Sequence, residues 1–126
     1  MADVDVTATI ALHRRSGRLA TMTIVRPSAR WGTVTVEGER VTEMLEKHPS
    51  GANPINGGFF VVEPAAIDRI EGDATNWERD VLPKLARDGE LAAYQHDGYW
   101  QPMDTAWERD LLEEEWTGGQ AAWKVW

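Results

Sequence analysis

Asn56-Gly57-Gly58, which opens the apolar run Phe59 to Val62, constrains this chain more than any other stretch. Glycine has no Cβ, so two in succession let a backbone approach a neighbour or a ligand closely and take conformations that other residues avoid. Ahead of them, in EKHPSGANPINGGFF (Glu46 to Phe60), an acid-base pair, Glu46 and Lys47, stands at the end of a strand-like run and is followed by a turn-rich loop. Two readings follow. A strand-end Glu-Lys facing Asn-Gly-Gly can grip a ligand that is both polyhydroxylated and phosphorylated. Alternatively, Pro49, Ser50, Gly51, Asn53 and Pro54 make an ordinary turn cluster and the glycines form a bulge.

The 126 residues suit a single domain, which at this size buries roughly two-thirds of the surface that its unfolded chain exposes. The absence of cysteine removes disulfides, thiolate metal sites and a Cys nucleophile, and fits a reducing cytoplasm. The N-terminus, MADVDVTATIALHRRSGR, is acidic where a secretory signal would be basic. No window reaches the run of about 18 apolar residues that a membrane span needs. Charge is unevenly placed. Residues 1–63 carry seven basic and seven acidic side chains, whereas residues 64–126 carry six and fourteen and hold the whole net charge of -8. An acidic surface without a basic stripe repels phosphate backbones and anionic lipid, so nucleic acid and membrane are poor partners. The run Glu113-Glu114-Glu115 reads as a solvated helix face.

Along the chain, residues 5–16 have helical spacing, with acidic residues at the start, Arg14 and Arg15 at the end and Gly17 as a stop. His13, beside those arginines, reads as a surface residue. Residues 19–25, LATMTIV, predict a strand buried on both faces. The runs 33–37 and 40–45 predict a hairpin whose second strand delivers Glu46 and Lys47 at its tip. Residues 55–62 predict the next strand, Pro64 opens a helix to about Ile70, and 91–96 predicts another strand.

Residues 75–82 and 105–112 share the pattern T-x-W-E-R-D-x-L. In each, Thr followed three residues later by Glu predicts a capping box, which satisfies amide donors left open at a helix start. With no third copy, the pattern reads as shared capping rather than a repeat. Asp104, just before the second copy, is either a structural carboxylate near a helix N-terminus or a functional one at a strand-to-helix turn on the rim of an α/β sheet.

The run INGGFFVVEP (55–64), then IEGD (70–73), WER (77–79), HDG (96–98), WQPMDT (100–105) and the final WKVW (123–126) are in the right order and span nearly the whole chain. Together they closely resemble the C-terminal half of the glucose-1-phosphate cytidylyltransferases, within the sugar-phosphate nucleotidyltransferase family. The resemblance implies an α/β fold, a Rossmann-like, GT-A-type mixed sheet with flanking helices, lacking the N-terminal nucleotide-binding strands. It implies that Glu46 and Lys47 hold the sugar hydroxyls and the sugar phosphate, that Asn56 and Gly57 contact the hexose, and that Asp104 ligates Mg²⁺. On this basis Lys47 and Asp104 would be the catalytic pair, and glucose 1-phosphate and CTP the substrates.

The sequence also departs from the family pattern. The family's E-K-P is here Glu46-Lys47-His48-Pro49, with a residue inserted; RPSARWG (26–32) stands where the family has a P-G-R-[FY]-G-like loop; and Ala106-Trp107 differ from the usual continuation. The Gly-rich loop for the triphosphate, its following Lys, the base-reading residues and the first metal-binding Asp have no counterpart in the 126 residues. The expectation is therefore a half that binds sugar phosphate, inactive alone and using CTP and Mg²⁺ only with the other half supplied. Missing strands, together with seven tryptophans, point to a homo-oligomer or a complementing chain. The alternatives are a non-catalytic sugar-phosphate-binding or oligomerisation module, and a remnant that merely folds.

Overall fold

The computed structural model describes residues 1–26 and 54–125, together with the backbone of two strands between them. Helix α1 (Val6–Ser16) leads into β1 (Ala20–Val25), followed by β2 (Thr33–Glu37), β3 (Arg40–Leu45) and β4 (Ile55–Val62). Then come α2 (Pro64–Ile67), a π-helical turn at Trp77–Val81 running into α3 (Leu82–Arg87), β5 (Leu91–His96) and α4 (Ala106–Thr117). The predicted strands and the hairpin all form, the hairpin with Thr33 opposite Leu45. Helix α2 is shorter than its sequence suggests, because after Ile67 the chain tightens into turns in which Arg69 N–H donates to the Ala66 carbonyl and Ile70 N–H to that of Ile67.

Strand β1 is the centre of a mixed sheet in the order β4-β1-β5, antiparallel to β4 and parallel to β5. Val25 lies opposite both Ile55 and His96, so the ends of β1 and β5 and the start of β4 share one rim. Side chains alternate across a strand, and the two faces of β1 differ in chemistry. Ala20 and Met22 pack with Val81, Leu82, Leu85, Phe60 and Trp77, forming an apolar core under α3. Thr21 meets α1 on the other face.

His13 is buried there, with only 4% of its surface exposed, and is not the surface residue its neighbours suggest. Thr9 and His13, four residues apart, share a helix face turned to the sheet, while Arg14 and Arg15 point away. The imidazole joins β1 to the residue that follows β4, with Nδ1 2.9 Å from Thr21 Oγ1 and Nε2 3.0 Å from Glu63 Oε1. Pairing both ring nitrogens satisfies a polar group that would otherwise be costly to bury. Gly17 ends α1 at φ +61, the left-handed geometry that favours glycine.

The π turn has a local cause. Pro83 has no amide hydrogen, and in a straight α-helix its ring would strike the carbonyl four residues back. Widening the preceding turn, so that Leu82 N–H reaches the Trp77 carbonyl, accommodates it.

The C-terminal segment is anchored by Trp123, which is buried and lies 5.5 Å from the Tyr99 ring at a 40° tilt. The Tyr99 hydroxyl donates to Glu115 Oε2 at 2.6 Å. Burial, then the hydrogen bond and negative charge of Glu115, push the phenol well above its ordinary range. Folded Tyr99 therefore keeps its proton where the unfolded chain would ionise, and stability falls as pH rises above about 10.

Two outcomes are expected. Leu85→Ala, at a fully buried position, should cost about 3 kcal/mol, read as a lower urea midpoint at constant slope. Tyr99→Phe should flatten the alkaline fall in that midpoint, and a tyrosinate absorbance titration of the folded protein should show Tyr99 ionising late.

Candidate functional site

The Asn-Gly-Gly stretch is a bulge. Met22 pairs with Phe60 and Ile24 with Asn56, so Thr23 alone faces Gly57, Gly58 and Phe59. Gly58 has φ +81, a conformation that side chains disfavour. Gly57 is glycine for a different reason: a Cβ there would lie 2.9 Å from Val25 Cγ1 and 3.1 Å from the Thr23 carbonyl oxygen. Bulges re-aim neighbouring side chains, and here the Asn56 Oδ1 turns to accept the Gly58 N–H at 2.9 Å. Asn56 Nδ2 donates to Glu78 Oε1 at 3.0 Å.

The WQPMDT segment reaches the same strand. Trp100 Nε1–H donates to the Gly57 carbonyl at 3.0 Å, tying the two motifs together at the rim. The N-terminal residues support this segment from the other side, with Ala2 bridged to Trp100 and Gln101 N–H donating to the Met1 carbonyl at 2.8 Å. Asp104 lies in the turn before α4, its side chain exposed and its N–H donating to Glu108 Oε2 at 2.8 Å. The Thr105 N–H donates to the same oxygen at 2.9 Å and the Thr105 Oγ1 accepts from the Glu108 N–H at 3.2 Å, completing the predicted capping box.

The first copy of the pattern behaves differently. Asn76, not Thr75, caps the turn by accepting the Arg79 N–H at 2.8 Å, and Thr75 Oγ1 accepts instead from the Glu71 N–H. Asparagine is itself a strong cap. At the equivalent position the second copy has Ala106, which cannot compete. Glu78 is thereby released from the role Glu108 performs and reaches Asn56. From its local pattern Glu78 has only a capping role; the Asn76/Ala106 difference is the signal that separates the two copies. Nothing in the local sequence marks Trp100 as the link to Gly57.

Among the candidate residues, Asn56, Gly57 and Asp104 are described, the first two on β4 and the third beyond the segment bonded to it. Glu46 and Lys47, which directly follow β3, lie outside the described residues. A hollow of about 240 Å³ opens at the rim between Val25, Arg26, His96, Asp97, Trp100 and Gln101. A larger depression of about 460 Å³ is lined by Glu71, Asp73, Asp80 and Lys84 and includes none of the candidate residues. Its acidic lining and its Lys84–Glu71 ion pair at 3.0 Å make it unsuited to a sugar phosphate.

Among the described residues, no three His, Cys, Asp or Glu side chains gather where they could hold a metal ion. One exposed carboxylate, Asp104, suits Mg²⁺ only in the mode in which a protein carboxylate shares the ion with substrate phosphates. Gly57→Ala should cost about 2 kcal/mol in urea denaturation, because the added methyl meets backbone as well as a side chain.

Comparison with known proteins bears on the whole chain, although no family model matches it. The chain is 44% identical over 126 residues to the glucose-1-phosphate cytidylyltransferase of Salmonella typhi, covering 100% of this chain and 49% of the relative. It is 31% identical over 108 residues to a mannose-1-phosphate guanyltransferase of Xenopus laevis, covering 82% of this chain and 29% of that protein. A crystal structure from Bacillus anthracis, assigned as a glucose-1-phosphate thymidylyltransferase, superposes with a TM-score of 0.61 over 96% of this chain and 51% of that one. At 12% identity that likeness speaks to the fold alone, and it is the expected nucleotidyltransferase α/β fold. The chain spans about half the length of the curated cytidylyltransferases it matches. Across all its residues it is related to one half of the glucose-1-phosphate cytidylyltransferases, consistent with the C-terminal half to which its motifs point.

Proposed function

We propose that this chain forms the sugar-phosphate side of a nucleotidyltransferase that converts CTP and glucose 1-phosphate to CDP-glucose and pyrophosphate. The observation that carries this reading is the similarity of the whole chain, at 44% identity, to a glucose-1-phosphate cytidylyltransferase. The hydrogen bond from Trp100 to Gly57, which brings the two most specific motifs to one rim, supports it.

In this reading Lys47 pairs with the phosphate of glucose 1-phosphate, Glu46 accepts hydrogen bonds from hexose hydroxyls, and Asn56 and the bulge at Gly57 form the sugar wall. A phosphate oxygen of the sugar phosphate attacks the α-phosphorus of CTP, and pyrophosphate leaves. Catalysis of this kind rests on positioning and charge neutralisation. Asp104 would hold Mg²⁺ jointly with the phosphates, and the bound ion supplies charge neutralisation there. The nucleotide side comes from a further segment, on the same polypeptide or on a complementing chain. Exposed apolar residues such as Met103 and Trp107 suit coverage by such a segment.

A Lys-phosphate contact near 4 Å is worth about 4 kcal/mol at an effective dielectric of 20, before desolvation. Calorimetric titration of the chain with glucose 1-phosphate should therefore show binding that Lys47→Ala weakens about tenfold or more. With CTP and Mg²⁺, pyrophosphate release should appear only when the remaining half of the Salmonella typhi relative is added. Turnover by the 126 residues alone would refute the proposed division of labour, and affinity indifferent to Lys47→Ala would refute the binding role.

A further inference from the structure

We infer that Glu78 is a positioning residue for hexose recognition, holding the Asn56 side chain so that it meets two sugar hydroxyls. The inference rests on the proposed reading of β4 as the sugar wall. The orientation of the Asn56 amide is forced by its neighbours. The Gly58 N–H can only donate and so must face Oδ1, at 2.9 Å; the Glu78 carboxylate can only accept and so must face Nδ2, at 3.0 Å. The amide is left with one N–H and one oxygen lone pair, able to donate to one sugar hydroxyl and accept from another.

Three features hold Glu78 in place. Asn76 takes over the cap that Thr75 would otherwise provide, so Glu78 is not drawn back to its own helix start as Glu108 is. The Trp77 ring stands edge-on to Phe60 of β4, 5.9 Å between centroids at 90°, fixing the turn against the strand that carries Asn56. The turn is π-helical, a geometry that often marks functional sites. Charge decides which end of the ligand Glu78 serves: a carboxylate repels phosphate, so it belongs at the hydroxyl end, away from the Lys47 end.

Two measurements test this. In ¹⁵N-resolved NMR of the free protein, Glu78→Ala should move the hydrogen-bonded Asn56 side-chain amide proton upfield to the position of a free asparagine amide, and Glu78→Gln, whose carbonyl can still accept, should largely keep it in place. In calorimetry, Glu78→Ala should weaken glucose 1-phosphate binding about fivefold to tenfold, the size of one hydrogen bond between neutral groups. Glu78→Gln should stay within about twofold of wild type, and adding Asn56→Ala to Glu78→Ala should produce no further loss. Binding of inorganic phosphate should be unchanged in all of them. Because Glu78 is exposed, these variants should fold. Unchanged Asn56 resonances in Glu78→Ala, unchanged affinity, or an equal loss for inorganic phosphate would each overturn the inference while leaving Lys47 and the proposed function standing. Failure of the wild type to bind glucose 1-phosphate would overturn both.

Discussion

The close approach of β4 to β1 at Gly57 is the constraint on which the rest depends. β1 is flanked on both sides, by β4 and β5, and the bulge occurs where Thr23 faces three residues of β4. Only glycine fits against Val25 and the Thr23 carbonyl, and its own carbonyl is then turned to receive the Trp100 indole. Through that one bond the segment leading to Asp104 is tied to the strand carrying Asn56. Thr23 records the local cost: its hydroxyl is fully buried and has no hydrogen-bond partner, at the point where the ladder is interrupted.

The sheet divides the interior by chemistry. Under α3 lies a conventional apolar core of Ala20, Val81, Leu82 and Leu85. Under α1 lies a polar layer in which Thr9, His13 and Thr21 are almost wholly buried and held by hydrogen bonds. Buried polar groups with fixed partners define relative position more sharply than interchangeable hydrocarbon contacts do. The His13 bridge from Thr21 to Glu63 therefore sets α1 against both β1 and the end of β4.

The two T-x-W-E-R-D segments show how a shared local pattern is put to different use by one changed residue, Asn76 against Ala106. Glu108 closes a capping box and stiffens the turn that carries Asp104. Glu78, displaced from that task by Asn76 and by the wide turn before Pro83, instead orients Asn56 on a strand 22 residues away. Both carboxylates thus serve the candidate site through a neighbour, one through a backbone turn and the other through an amide.

Much was legible in the sequence because it depends on short-range chemistry. A run of β-branched and apolar residues marked β1, Gly17 ended α1, and Thr105 with Glu108 announced a capping box; each signal operates within a turn or a strand. Family motifs, spread along the chain, carried the fold class and the nominated residues. What only the tertiary structure decided were pairings between distant segments: the burial of His13 against Thr21 and Glu63, the bond from Trp100 to Gly57, and the use of Glu78 by Asn56. No local pattern reports these, since a histidine beside two arginines or a glutamate behind a threonine has the same near neighbours whether it faces water or a partner. The sheet register and the bulge bring those partners within hydrogen-bonding distance, and both are properties of chain pairing rather than of any one stretch.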